Sequence, residues 1–257
     1  MQNVLAGICA LLCTLGCVGT TGGDTFEFEA FASGPPGADG QSYSFANSRG
    51  YVVTLTRAHV HVGGVYLNQS VPTQVASNPS CTLPGIYVAE VTSALEVDIL
   101  SPVLQPFPSL GRAISEHALA GEVWLNSGDV SAAQDPAVIF DVAGTAVKDA
   151  ATFPFVASLS IGTNRAKSPS ALTPGAAPIC KQRIVSPIPL GLTPVRGGRL
   201  VLEIDPAKMF ANVDFLGLSS DRNGLLIFED ENTPGPSLSL YNGLHRSSGV
   251  YGLRWEQ

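Results

Sequence analysis

Apolar and polar residues alternate with a period of two along most of this chain, and the 3.6-residue period of an amphipathic helix is scarce. Phe26-Glu27-Phe28-Glu29 opens the regular part as a strand. Arg199–Asp205 places Leu200, Leu202 and Ile204 on one face, Ser237-Leu238-Ser239-Leu240 alternates cleanly, and Val250–Trp255 turns Tyr251, Leu253 and Trp255 to one side. Further strands are predicted over Ile86–Val91, Leu95–Ile99, Gly121–Asn126, Val138–Val147, Phe153–Ile161 and Leu225–Phe228. Short strands separated by Gly and Pro turns predict an all-β chain, folded as an antiparallel β-sandwich.

The stretch from Tyr51 to Asn68 carries a finer signal. Tyr51, Val53 and Leu55 are apolar at odd positions, but Arg57, His59 and His61 continue that parity while Ala58, Val60 and Val62 take the even one. The buried face changes near residues 56–57, which a straight strand cannot do, so a bulge or a change of sheet is expected there. Gly63-Gly64 offers a second bend. One short helix is expected, capped by Asp205, started by Pro206 and running over Ala207–Val213. Asp221-Arg222-Asn223-Gly224 reads as a turn. Two segments, 69–85 and 163–198, look irregular, and the prolines at 169, 174, 178, 187, 189 and 194 argue against ladder pairing in the second. Residues 25–257 are read as one domain, with a two-domain split inside 163–198 as the other possibility.

The start of the chain has a different character. Val4–Leu15 is uncharged and mostly apolar, too short to span a bilayer and the right length for a signal-peptide core, although no cationic segment precedes it. It ends in Thr14-Leu15-Gly16-Cys17, a lipobox-like sequence with Thr14 in the usual place of Leu, making Cys17 the candidate for lipidation and residues 1–17 the leader. Residues 18–24 form a Gly/Thr-rich tether. Of five cysteines, Cys9, Cys13 and Cys17 belong to the leader, leaving Cys81 and Cys180. An even pair in an exported chain predicts a disulfide linking the two long loops; a metal pair is the rival, without ligand-spaced neighbours to help it.

Composition narrows the function classes. The 257 residues carry a net charge of −7, with 14% charged and 45% hydrophobic residues. No basic cluster is present to neutralise phosphates, which excludes the usual basis of nucleic-acid binding. There is no G-x-S-x-G, H-E-x-x-H, P-loop or G-x-G-x-x-G, so no enzyme class is expected. His59 and His61 are the candidate metal ligands, since residues i and i+2 of a strand share a face and two imidazoles can bind copper or zinc if His117, His245 or a carboxylate converges on them. Arg57 shares that face and opposes a cation; an exposed, solvated pair is the plainer reading. Trp124 and Trp255 are expected to fill the core, and Glu229-Asp230-Glu231 to be a solvated turn rather than a calcium site.

Several phrases resemble a family of bacterial lipoproteins abundant in myxobacterial genomes: Gly50–Ala58, Gly64-Val65-Tyr66-Leu67, Pro84-Gly85-Ile86-Tyr87, Phe210–Phe215 and Ser248-Gly249-Val250-Tyr251. A second similarity, over residues 45–68, is to methanobactin-partner-like periplasmic copper proteins, β-sandwiches that bind copper through histidines and an oxidised Trp. The first resemblance runs over most of the chain after the leader and brings no activity with it; the leader, the lipobox-like end and the absence of enzyme motifs lead to the expectation of a non-enzymatic envelope lipoprotein, anchored by lipid to the outer membrane and acting as a binding or structural module. The second implies a periplasmic copper protein, for which His59, His61 and Trp124 are candidates on chemical grounds.

Overall fold

The computed structural model describes residues 24–71, 86–127, 135–161, 184–230 and 234–257. Cys17, Cys81 and Cys180, with the expected leader and residues 18–23 of the expected tether, lie outside them, and so do the expected lipidation and disulfide. The strands are β1 Phe26–Ser33, β2 Tyr43–Ala46, β3 Val52–Val62, β4 Gly64–Asn68, β5 Tyr87–Val91, β6 Leu95–Asp98, β7 Gln105–Pro106, β8 Gly111–Ala113, β9 Ala118–Trp124, β10 Asp135–Lys148, β11 Ala151–Ile161, β12 Ile184–Leu192 and β13 Arg199–Ile204. Helix α1, Pro206–Met209, and a 3₁₀ turn at Phe215–Gly217 precede β14 Ser219–Ser220 and β15 Leu226–Phe228; α2, Pro236–Leu244, then leads to β16 Tyr251–Glu256.

The strands form a nine-stranded sheet, ordered β12-β9-β4-β5-β8-β1-β13-β16 with β7 also on β1, and a seven-stranded sheet, ordered β14-β15-β11-β10-β3-β2 with β6 also on β3. The chain is all-β with two sheets, as expected, but the sheets are mixed rather than antiparallel. β1 runs parallel to β13, and β11 parallel to β15. Parallel neighbours need long crossovers, and both pairs are separated by long stretches of chain, so local sequence carries no trace of them. The nine-stranded sheet curls until its edge strands β12 and β16 approach each other. Gly121 of β9 makes room for this: a Cβ there would collide with Leu253 of β16 and stand 3.0 Å from Leu190 Cδ2 of β12.

The face change in β3 takes the form of a bulge. Ala143 pairs with Arg57 and Gly144 with Leu55, so the pairing register with β10 skips Thr56. Val53 and Leu55 are buried before it, and Ala58, Val60 and Val62 after it. The opposite edge of β3 is shared, with β2 on Val52–Leu55 and β6 on His59–Val62. At Gly63 the chain passes from one sheet to the other: its N–H donates to Trp124 O at 2.7 Å, and a Cβ would strike the Asn126 backbone.

Buried side chains of both sheets join one continuous core. Its densest part is aromatic: Phe155 meets Phe210, Phe215 and Phe228 with ring centroids 5.6, 5.0 and 5.7 Å apart. Phe210 and Phe215 come from the segment after α1, which Asp205 caps by accepting from Ala207 N–H at 2.9 Å. The expected helix body stops early, at Met209. Tyr51, fully buried just before β3, donates its hydroxyl to Asp214 Oδ1 at 2.7 Å and ties the chain there to this segment.

Two expectations fail for local reasons. Ser237–Leu240 is not a strand but the body of α2: Pro236 starts it, and Leu240, Tyr241, Gly243 and Leu244 are buried at helical spacing. A Cβ on Gly243 would strike the Met209 carbonyl, so α1 and α2 cross at backbone contact. The segment 163–198 also contains β12, which pairs with β9 despite Pro187 and Pro189. It does so as an edge strand, with register breaks between Val185 and Ile188 and between Pro189 and Leu192, and an edge with gaps in its ladder is where proline is tolerated.

Candidate functional site

The outer face of the seven-stranded sheet carries the histidines. The Thr56 bulge turns His59 and His61 outward, where His59 stands opposite Asp98 on β6 and Asp141 on β10, and His61 stands opposite Glu96. His59, His61, Glu96, Val138, Asp141 and Ser158 line a shallow, open recess of about 360 Å³. Of the two carboxylates that line it, Asp141 is taken up by an arginine, and Asp98 lies just outside the lining. Arg57 forks onto Asp141, Nε at 2.8 Å from Oδ2 and Nη2 at 3.2 Å from Oδ1, and Asp98 Oδ1 accepts from Leu100 N–H at 2.9 Å. His61 Nε2 is buried and makes no hydrogen bond. His117 and His245 do not join the recess: His117 Nδ1 lies 3.1 Å from Thr193 Oγ1, and His245 Nδ1 donates to Tyr241 O at the end of α2. Among the described residues, no three His, Cys, Asp or Glu side chains are grouped to hold a metal ion.

The outer face of the nine-stranded sheet carries a constellation that sequence reading passes over. On β9, Glu122 and Trp124 point away from the core while Val123 points into it. Tyr66 of β4 stands between Glu122 and Glu90 of β5. A register shift at Val88 brings Tyr87 opposite Asn68 on the same face. Tyr66 contacts Trp124 at 4.6 Å and Tyr87 at 5.2 Å between centroids, the planes tilted by 40° and 49°. A Cβ at Gly64, the cross-strand partner of Trp124, would press on the Tyr66 ring at 3.2 Å.

Beneath these rings Glu122 is fully buried, at 0% exposure, although it belongs to an outer face. Tyr87 OH and Trp124 Nε1 both donate to its Oε2 at 3.1 Å. Burial pushes the carboxyl above the ordinary range, and contacts from Trp124, Tyr87 and the Asn68 amide pull against that shift. Asn68, also at 0% exposure, has its Oδ1 taken by the backbone N–H groups of Ser70 and Ile86, so its Nδ2 is the group turned to the carboxylate. Neither that Nδ2 nor Glu122 Oε1 closes a hydrogen bond within ordinary limits. Burial and the Glu122 charge raise the Tyr87 hydroxyl far above its usual range, and Tyr66 is raised by burial, Glu90 and Glu122, so both phenols stay protonated.

Trp255 does pack on the core, edge-on to Phe28 at 4.9 Å. Trp124 does not: it belongs to this outward cluster, a correction to its expected place. Asp230 of the acidic turn accepts from Ser160 N–H and Oγ and is strapped to β11; Glu231 lies outside the described residues. Asp221 Oδ1 accepts from Asn223 and Leu225 N–H, and Gly224 has φ +80°, which is the expected turn. The signal for the second cluster was available in the alternation of β9, which puts Glu122 and Trp124 on one face. Nothing local announced that the carboxylate is buried. Comparison with family models, curated proteins and solved structures finds no match.

Proposed function

We propose that this chain is an exported envelope lipoprotein, lipid-anchored through Cys17, that works as a non-enzymatic binding module with the Tyr66–Tyr87–Trp124 face as its binding surface. Glu122 carries the binding reading. A desolvated carboxylate costs several kcal/mol that an apolar residue of similar size would not, and a purely structural outer face has no need of one. Its hydrogen bonds fix the tilt of Tyr87 and Trp124, the kind of support that a preformed recognition surface requires. The leader and Gly16-Cys17 support the anchor. Residues 18–24 can span at most about 25 Å when extended, which would hold the domain near the membrane.

Detergent-phase partition and mass spectrometry of the full chain expressed with its leader test this reading. The expected product begins at a diacylglyceryl-modified Cys17 and enters the detergent phase, whereas Cys17→Ser moves it to the aqueous phase. An intact Met1 in the aqueous phase overturns the anchor.

One observation favours a second reading, copper or zinc binding at His59 and His61: the buried, unpartnered His61 Nε2 beside Glu96. Titration with Cu(I), Cu(II) and Zn(II) against a His59→Ala/His61→Ala variant decides it. Micromolar binding that the variant abolishes supports the metal; equal behaviour of the two proteins discards it.

A further inference from the structure

We infer that the Tyr66–Tyr87–Trp124 surface takes a methylated ammonium group, an organic cation, above the buried Glu122; this rests on that face being the binding surface. The rings touch in a row with Tyr66 in the middle, and all three side chains keep part of their surface in contact with solvent. Two of them give their polar hydrogens to one carboxylate. Donation to an anion shifts electron density into the phenol and indole, which makes the ring faces more negative and more attractive to a cation. The charge below is out of water, so its field on the rings is screened far less than that of a surface carboxylate. Glu90, opposite Tyr66, adds negative charge on the same face.

The ligand class follows from what the site withholds. Glu122 is fully buried with its Oε2 held at the polar edges of Tyr87 and Trp124, and no metal-binding group of side chains is present among the described residues, so a small, strongly hydrated cation would find no ligands to replace its water. A methylated ammonium is weakly hydrated, spreads its charge over its methyl groups and needs only ring faces. Elsewhere in the molecule ring faces are already covered by cations: Lys148 over Tyr51 at 4.9 Å, Arg196 over Phe26 at 5.4 Å and Arg199 over Phe31 at 5.5 Å. Among the described residues none covers Tyr66, Tyr87 or Trp124.

The test titrates the purified full chain with choline and tetramethylammonium, followed by Trp emission, with Trp124→Phe assigning the signal. The probes beside them are 3,3-dimethylbutan-1-ol, the uncharged isostere of choline, and an N-acetylglucosamine oligomer. Choline is expected to saturate at millimolar concentration or below and to bind about tenfold tighter than the isostere. Glu122→Gln should weaken choline about fivefold with an unchanged near-ultraviolet spectrum, and Tyr66→Ala should remove binding. If either variant misfolds, Tyr87→Phe, which keeps the ring and loses the donated hydrogen, must weaken choline without affecting the isostere. Equal binding of choline and isostere overturns the inference, and so does binding of the oligosaccharide alone; both leave the face as a binding surface. Silence from every probe sinks that reading as well.

Discussion

On the seven-stranded sheet, Asp141 meets Arg57 in the open, with the two side chains 36% and 47% exposed. On the nine-stranded sheet, Glu122 is withdrawn from water and meets only neutral donors, Tyr87, Trp124 and Asn68. Both carboxylates sit on outer faces of their sheets. The first is solvated charge that neither helps nor harms the fold by much; the second is held against a penalty and organises the aromatic rings around it. Position on a sheet therefore says less about a charged side chain than what its cross-strand neighbours cover.

The largest expected effect probes what the two faces share. Phe155→Ala removes the ring at the centre of the Phe210–Phe215–Phe228 cluster and should cost about 3–5 kcal/mol, read as a fall in melting temperature of about 6–20 °C. Because one core supports both sheets, the histidine recess and the aromatic face should be lost in the same transition; separate melting would show that the faces are independent.

The next separates the faces by pH. Glu122 has a raised folded-state pKa, so the stability it contributes is full below the ordinary carboxylate value and is lost as pH rises through the raised one. One proton limits the slope to about 1.4 kcal/mol per pH unit. Glu122→Gln should remove that slope from urea midpoints measured across mildly acidic pH, and an unchanged slope would show that the carboxylate titrates normally. Asp214 behaves oppositely: the Tyr51 hydroxyl lowers its pKa, so its contribution is present above the ordinary value and fades as pH falls.

A smaller effect is expected from Tyr87→Phe, which removes one charge-assisted hydrogen bond to Glu122 and should cost about 1.5–3 kcal/mol at neutral pH and less in acid, where the carboxyl is protonated. Smallest is Asp141→Asn, which breaks the exposed pair with Arg57 and should cost between about 0 and 1 kcal/mol, vanishing in high salt. A larger loss from Asp141→Asn than from Tyr87→Phe would reverse the comparison.

Much of the local architecture was legible in the sequence. Parity alone located the Thr56 bulge, because an apolar set that changes from odd to even positions can stay buried only if a residue is left unpaired. Asp205-Pro206 and Asp221–Gly224 acted as their side-chain chemistry requires. The outward placement of His59 and His61 followed from the same parity. The alternation of Ser237–Leu240 misled because a four-residue pattern fits either period, and only the packing of Gly243 against Met209 chose the helix. In β12, proline chemistry pointed to a loop, while an edge position with broken register accommodated it.

What the sequence by itself determined was the inward and outward side chains of strands such as β1, β3, β13 and β16, since alternation is imposed by covalent geometry within a few residues. Only the tertiary structure decided which strands became neighbours, including the parallel pairs β1–β13 and β11–β15. It also decided that Glu122 would lie dry beneath Tyr66, Tyr87 and Trp124 while Asp141 stayed wet. Solvation and hydrogen bonding of a carboxylate depend on groups that β4, β5 and β9 bring from distant parts of the chain, and that information exists only once those strands have paired.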